Sequence, residues 1–179
     1  MAINYGTSTL AVFLSALCIL SSGCWSPVCA MELKAVKFSY YLHDDLVPPN
    51  VTAVLVAGAG GSLTGQSSLG NIIVFDSFLR KTSSNASALI GHGSGEIVTL
   101  NDPVERFITF VHDITISGYS GTISASGRFN FTAPSWELGI NSGTGSFRGA
   151  RGYFTASMIS LNPSFPILKY EANLILPHH

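Results

Sequence analysis

From Val36 to the end of the chain, apolar and polar residues alternate in steps of two, and no stretch repeats with helical period between capping residues. This property confines the chain to sheet, because a period of two places one face of a strand against a core and the other against water. Val36, Phe38, Tyr40 and Leu42 alternate with Lys37, Ser39, Tyr41 and His43. Further strands are expected over Asn50–Val56, Asn71–Leu79 and Ala88–Leu100, the last with glycines at 91, 93 and 95 that suit bends or close neighbours. Arg106–Ser117 and Gly121–Phe131 read as a hairpin across Gly118-Tyr119-Ser120. Trp136–Ile140, Arg148–Leu161 and Ile167–Leu176 complete the set, the last with Leu168, Tyr170, Ala172 and Leu174 on one face. Eight or nine strands joined by short loops, with no helices, predict an all-β domain, a barrel or a sandwich. The Ala57–Gly65 run is glycine-rich, but it lacks the strand–GxxxxGK–helix setting of a phosphate cradle.

The first 30 residues follow a different rule. Residues 1–31 hold no Asp, Glu, Lys or Arg; Leu10–Leu20 is apolar, and Val28-Cys29-Ala30 has the small-residue form of a cleavage site. Residues 1–30 are therefore expected to be a secretory signal peptide, leaving residues 31–179 as one domain. The apolar run is too short for a permanent membrane anchor. All three cysteines (Cys18, Cys24 and Cys29) lie in this leader, so the mature domain is expected to fold without disulfides. Nine basic and ten acidic residues give a net charge of −1, with no basic patch for nucleic acid. In a secreted chain the sequons at Asn50, Asn85 and Asn130 are candidate glycan sites.

Continuing the first strand's alternation, Asp44 falls on the inward face of Val36, Phe38, Tyr40 and Leu42. A carboxyl at the end of an apolar face is costly unless paired or protonated, which makes Asp44 a candidate acid or ligand-binding group. The alternative is a strand that ends at His43 and leaves Asp44 in a solvated turn. His112 and Asp113 are adjacent on a strand and point to opposite sides, so they cannot form a dyad. The five histidines lack metal-ligand spacing, and no cofactor site is expected. Phe107, Thr109, Val111 and Asp113 share a face opposite Ile108, Phe110 and Ile114. That strand is apolar on both sides, which suits either a subunit interface or a strand covered by a loop. Gly143 and Gly145 suit a tight turn, and Gly152 a close approach to a neighbour.

Two segments resemble the dirigent family of plants: Phe38-Ser39-Tyr40-Tyr41-Leu42-His43-Asp44, and the run from Ser142 to Tyr153 (SGTGSFRGARGY), close to the family's GGTGxFRxARGY signature. Phe75-Asp76 and Lys169-Tyr170-Glu171-Ala172-Asn173 resemble two more of its strands, so the likeness runs from about Phe38 to Leu176. The resemblance implies a secreted, glycosylated, eight-stranded antiparallel barrel that assembles as a trimer or dimer. It also implies stereocontrol over the coupling of phenoxy radicals, such as those of coniferyl alcohol, made by a separate laccase or peroxidase. In the family's lignan-forming members a second acid stands where this chain has Phe129, and in some members an arginine stands where it has Trp136. Ile97 replaces an aromatic hydroxyl, and the paired cysteines of some members are absent.

On that resemblance Asp44 is the expected proton acceptor or donor, and Phe38, Tyr40, Phe129 and Tyr153 are the expected pocket wall. The first expected function is direction of radical coupling in lignan formation, in the extracellular space or cell wall, without oxidative chemistry of the chain's own. The alternatives are a dehydratase or cyclase acting on a quinone-methide or isoflavonoid-type phenolic, and a protein that organises lignin in the wall.

Overall fold

A computed structural model describes residues 32–58, 68–102 and 104–177. The expected leader with its three cysteines, much of the glycine-rich loop and the terminal His178-His179 lie outside the described residues. Nine strands occur among those described: β1 Leu33–His43, β2 Ala53–Ala57, β3 Ile72–Arg80, β4 Leu89–Thr99, β5 Glu105–Ile116, β6 Tyr119–Asn130, β7 Trp136–Gly143, β8 Arg151–Ser160 and β9 Ile167–Pro177. All pair antiparallel in the order β1-β9-β8-β7-β6-β5-β4-β3, and a β1–β3 pairing closes this into a ring of eight. The expected barrel is therefore present.

The ninth strand, β2, continues the line of β1. Both lie antiparallel on the same edge of β3, β1 against Phe78–Arg80 and β2 against Ile72–Phe75. Residues 44–52 leave the wall between them and return at Thr52, whose carbonyl accepts the amide N–H of Asp76 at 2.8 Å. The ring thus has a break in one wall, opposite Ser77.

Alternation sets what faces inward. In β5, Arg106, Ile108, Phe110, His112 and Ile114 are buried, while Phe107 and Val111 are exposed. In β9, Tyr170, Ala172, Leu174 and Leu176 are buried. Together with Tyr40, Leu79, Ile123, Leu138 and Phe154 they fill the interior, as closed small barrels require.

Some boundaries differ from expectation. The β5–β6 hairpin turns at Ser117-Gly118, with φ of 53° and 84°, one residue earlier than expected; two positive φ values suit a two-residue loop between twisted strands. β7 runs on to Gly143 because a register shift between Ser124 and Ala125 breaks its alternation. β8 begins at Arg151, since Gly145–Phe147 form a 3₁₀ turn that buries the Phe147 ring. Gly152, at φ 131°, passes so close to β9 that a Cβ would stand 2.0 Å from the Asn173 carbonyl oxygen.

Candidate functional site

The strand ends at His43, yet Asp44 still faces inward. It sits at the break between β1 and β2, where the Ser77 hydroxyl from β3 donates a hydrogen bond to Oδ1 and the Thr52 hydroxyl lies 3.4 Å away. Ser77 is buried. Of the two sequence alternatives, the first therefore gives the right direction and the second the right strand end.

Asp44 opens onto a cavity of about 630 Å³, mouth included, at the end of the barrel where β1 and β6 finish and β3, β7 and β9 start. Its walls include Leu42, Ile73, Phe75, Ile97, Ile108, Phe129, Phe131, Trp136 and Leu168, with the Tyr170 phenol as a second polar group. Phe129 stacks on Trp136 at 5.0 Å between centroids and meets Phe131 edge-on at 4.8 Å. The Arg106 guanidinium lies over the Phe131 ring at 5.3 Å.

Burial raises the Asp44 carboxyl above its ordinary value of 3.8, against the lowering effects of the Ser77 and Thr52 hydroxyls and the charge of His43. Burial and the Asp44 charge together raise the Tyr170 phenol. The site thus holds one carboxyl biased toward its proton-bearing form, facing hydrocarbon and aromatic rings. Such a group can donate a proton to a leaving oxygen and take one back.

This bias has a stability counterpart. A carboxyl raised on folding stabilises the folded state in full below 3.8, and that contribution is lost as pH rises through the higher folded value. Asp44→Asn removes this dependence, so the gap in urea midpoint between variant and parent should change in the variant's favour as pH rises from 3 toward 7.

The other expected site residues fall elsewhere. Phe129 lines the cavity. Phe38 and Tyr40 face inward, but beyond the cavity: Tyr40 is fully buried, and Phe38 packs on Phe147 at 6.0 Å toward the opposite end. The expectation for Tyr153 is corrected. It lies on the outer face at 41% exposure, because its neighbour Phe154 takes the inward position in β8.

Below the cavity, Tyr40 stacks on Tyr170 at 5.8 Å and its hydroxyl lies 2.6 Å from His112 Nδ1. Burial lowers the His112 ring from 6.5 to about 3, so it is neutral, and the phenol can donate to Nδ1. The ring edge rests on Gly93, where a Cβ would come within 2.8 Å of Nε2. Tyr40→Phe leaves that nitrogen buried without its partner and should cost about 1–3 kcal/mol in urea unfolding at neutral pH. Sequence reasoning did not single out Ser77, Tyr170 or His112 for the site or its support. A signal existed for Ser77, a polar residue on an otherwise apolar inward face, and for His112, which shares its face with Ile108, Phe110 and Ile114.

On the other side of β1, His43 is 5% exposed beneath the turn formed by residues 81–88. Its Nδ1 lies 2.9 Å from Asn85 Oδ1 and its Nε2 3.1 Å from the Thr82 carbonyl oxygen. Among the described residues no three His, Cys, Asp or Glu side chains converge as a metal site, and no helix is long and apolar enough to cross a membrane.

A family model for dirigent-like proteins matches residues 35–175. Dirigent protein 15 of Arabidopsis thaliana is 29% identical over 93% of this chain and 97% of its own. Pterocarpan synthase 1 of Glycyrrhiza echinata is 30% identical over 73% of this chain and 71% of its own. Among solved structures, a pterocarpan synthase dirigent protein superposes with a TM-score of 0.75 at 24% identity, over 83% of this chain and 93% of that one, a likeness of fold.

Proposed function

Since this chain belongs to the dirigent-like protein family, we propose that it closes a ring on a bound phenolic, with Asp44 as the acid that starts the reaction. The carrying observation is that Asp44 is the one carboxyl on an otherwise apolar cavity and that burial biases it toward the protonated form. Asp44 gives its proton to a benzylic hydroxyl, the C–O bond breaks and water leaves. The cation so formed is a protonated quinone methide, stabilised by a phenolic hydroxyl para or ortho to it that keeps its proton. A second phenolic oxygen of the same molecule attacks, forms the new C–O bond and returns its proton to the Asp44 carboxylate. No oxidant is consumed. The aromatic walls contribute orientation and exclude water, so one face of the intermediate is closed. A relative named pterocarpan synthase supports this class of reaction.

Radical coupling is the second reading, favoured by the rings of Phe129, Phe131 and Trp136 on the cavity wall, which offer flat surfaces for phenols to stack on. In it a separate laccase or peroxidase makes the radicals. With Phe129 where a second acid would stand, two symmetric proton transfers have only one carboxyl to serve them, which places this reading second. Both readings include secretion to the extracellular space. Both also include self-association, supported by the exposed apolar strip of Val54, Val56, Val74, Phe107 and Val111 on the outer face.

The test incubates the protein with a 2′-hydroxyisoflavanol without oxidant, and separately with coniferyl alcohol with and without laccase, followed by chiral chromatography. A single enantiomer of ring-closed product without oxidant supports the first reading. Enantiomeric excess only in the laccase arm replaces it with the second.

A further inference from the structure

Two tyrosines stack at the inner end of the cavity, and the protein satisfies the hydroxyl of only one. The Tyr40 hydroxyl lies 2.6 Å from His112 Nδ1. Tyr170 is 1% exposed, and its ring is held by Tyr40 at 5.8 Å, Phe154 at 5.7 Å, Phe110 at 5.6 Å and His112 at 5.0 Å. Its hydroxyl has no hydrogen-bond partner among the described residues, and the side chain lines the cavity. A buried hydroxyl without a partner is costly, and a ligand oxygen placed against it recovers that cost.

We propose that Tyr170 binds the remote phenolic hydroxyl of the ligand, so that the preferred ligand is a phenol with a free hydroxyl para to the reacting benzylic carbon. Position selects that oxygen. On the paired strands β1 and β9, Asp44 stands four residues from the Tyr40–Tyr170 pair, about 13 Å along the wall, with Leu42 and Leu168 between them on the same face. With the benzylic carbon at Asp44, an ortho hydroxyl stays beside the acid, whereas a para hydroxyl lies on the opposite edge of the ring and points inward to Tyr170. No Lys, Arg or His is among the described residues lining the cavity, so nothing there favours a phenolate and the ligand hydroxyl keeps its proton. It donates that hydrogen to the Tyr170 oxygen. Burial and the Asp44 charge hold Tyr170 itself in its O–H form, which still has lone pairs to accept with. The acid therefore sets where the ligand reacts, and Tyr170 sets which way round it enters.

The inference rests on the proposed reading of the cavity as a phenolic site, and its test needs no turnover. Binding to the protein is measured by calorimetry at neutral pH for two compounds that lack the benzylic hydroxyl and so cannot react. One is 2′,7-dihydroxyisoflavan, whose 7-hydroxyl is para to the benzylic carbon, and the other is 2′-hydroxyisoflavan, which lacks it. The parent should favour the first by about tenfold. In Tyr170→Phe that preference should disappear or reverse, with the urea midpoint unchanged because the hydroxyl has no partner inside the protein. Equal binding of the two compounds by the parent, which needs no variant, overturns the assignment of Tyr170. A preference that survives in Tyr170→Phe, or a lowered midpoint in that variant, overturns it as well. If neither compound binds the parent, the phenolic reading of the cavity falls together with this inference.

Discussion

Asp44→Asn slows enantioselective product formation about 10²- to 10⁴-fold, the usual contribution of one positioned proton-transfer group. Asparagine has nearly the same shape and can still accept the Ser77 hydroxyl on its amide oxygen, so the cavity keeps its form. What it lacks is an acidic proton to give the leaving hydroxyl. The loss should therefore fall on turnover, with binding of an unreactive phenolic analogue little changed, and the two are separated by measuring kcat and KM independently. Ser77→Ala is the milder companion. It removes a hydrogen bond that lowers the carboxyl, so Asp44 holds its proton to higher pH and the alkaline limb of the rate profile should move upward. If Asp44→Asn leaves turnover within about threefold of the parent, the missing proton is coming from another donor or from water, and the assigned role of Asp44 is wrong.

Phe154→Ala lowers stability by about 3–5 kcal/mol, as large-to-small changes at buried aromatic sites do. Phe154 is fully buried and meets Tyr40 and Tyr170 edge-on at 6.1 and 5.7 Å, with Phe110 and His112 at 5.8 and 6.0 Å. Four rings close around it, and none can fill the gap without giving up another of these contacts. A loss of this size is a large share of the roughly 5–15 kcal/mol that holds a domain together. Tyr170 is also part of the cavity lining, so the damage should reach the ligand as weaker binding of a phenolic analogue. Urea unfolding measures the first effect as a lower midpoint at unchanged slope. Phe154→Leu refills most of the volume and should recover most of both losses; a variant as stable as the parent would show that this cluster does not support the core.

The period of two carried the architecture, because in a closed barrel each strand has one face in the core. It placed Asp44 inward with Val36, Phe38, Tyr40 and Leu42, and it set Phe107 and Val111 on the face opposite Ile108, Phe110 and Ile114; the structure buries the latter three and exposes Phe107 and Val111. It also places Tyr153 outward beside Phe154. The expectation of a pocket role for Tyr153 came from the resemblance of its motif, and the alternation was the better guide. Where the period broke, foresight broke with it. The register shift facing β7 hid three of its residues, and the strand expected from Arg148 starts only at Arg151, after the 3₁₀ turn of Gly145–Phe147. The partners of Asp44 were out of reach for another reason. Ser77 and Thr52 meet it through the closure of β1 on β3 and the return of the chain at residue 52, and a linear pattern does not encode ring closure.

The break in the wall between β1 and β2 also bears on how such a barrel can diversify. Residues 44–52 leave the ring and re-enter it along the same edge of β3, so closure is completed by β1 before the excursion begins. A lineage can lengthen, shorten or rewrite that excursion without resetting the register of any of the eight ring strands. The same excursion begins with the acid and ends with Thr52, one of its partners, and Leu46 and Ala53 stand on the cavity wall. Selection on what the cavity accepts is thereby separated from selection on whether the barrel closes.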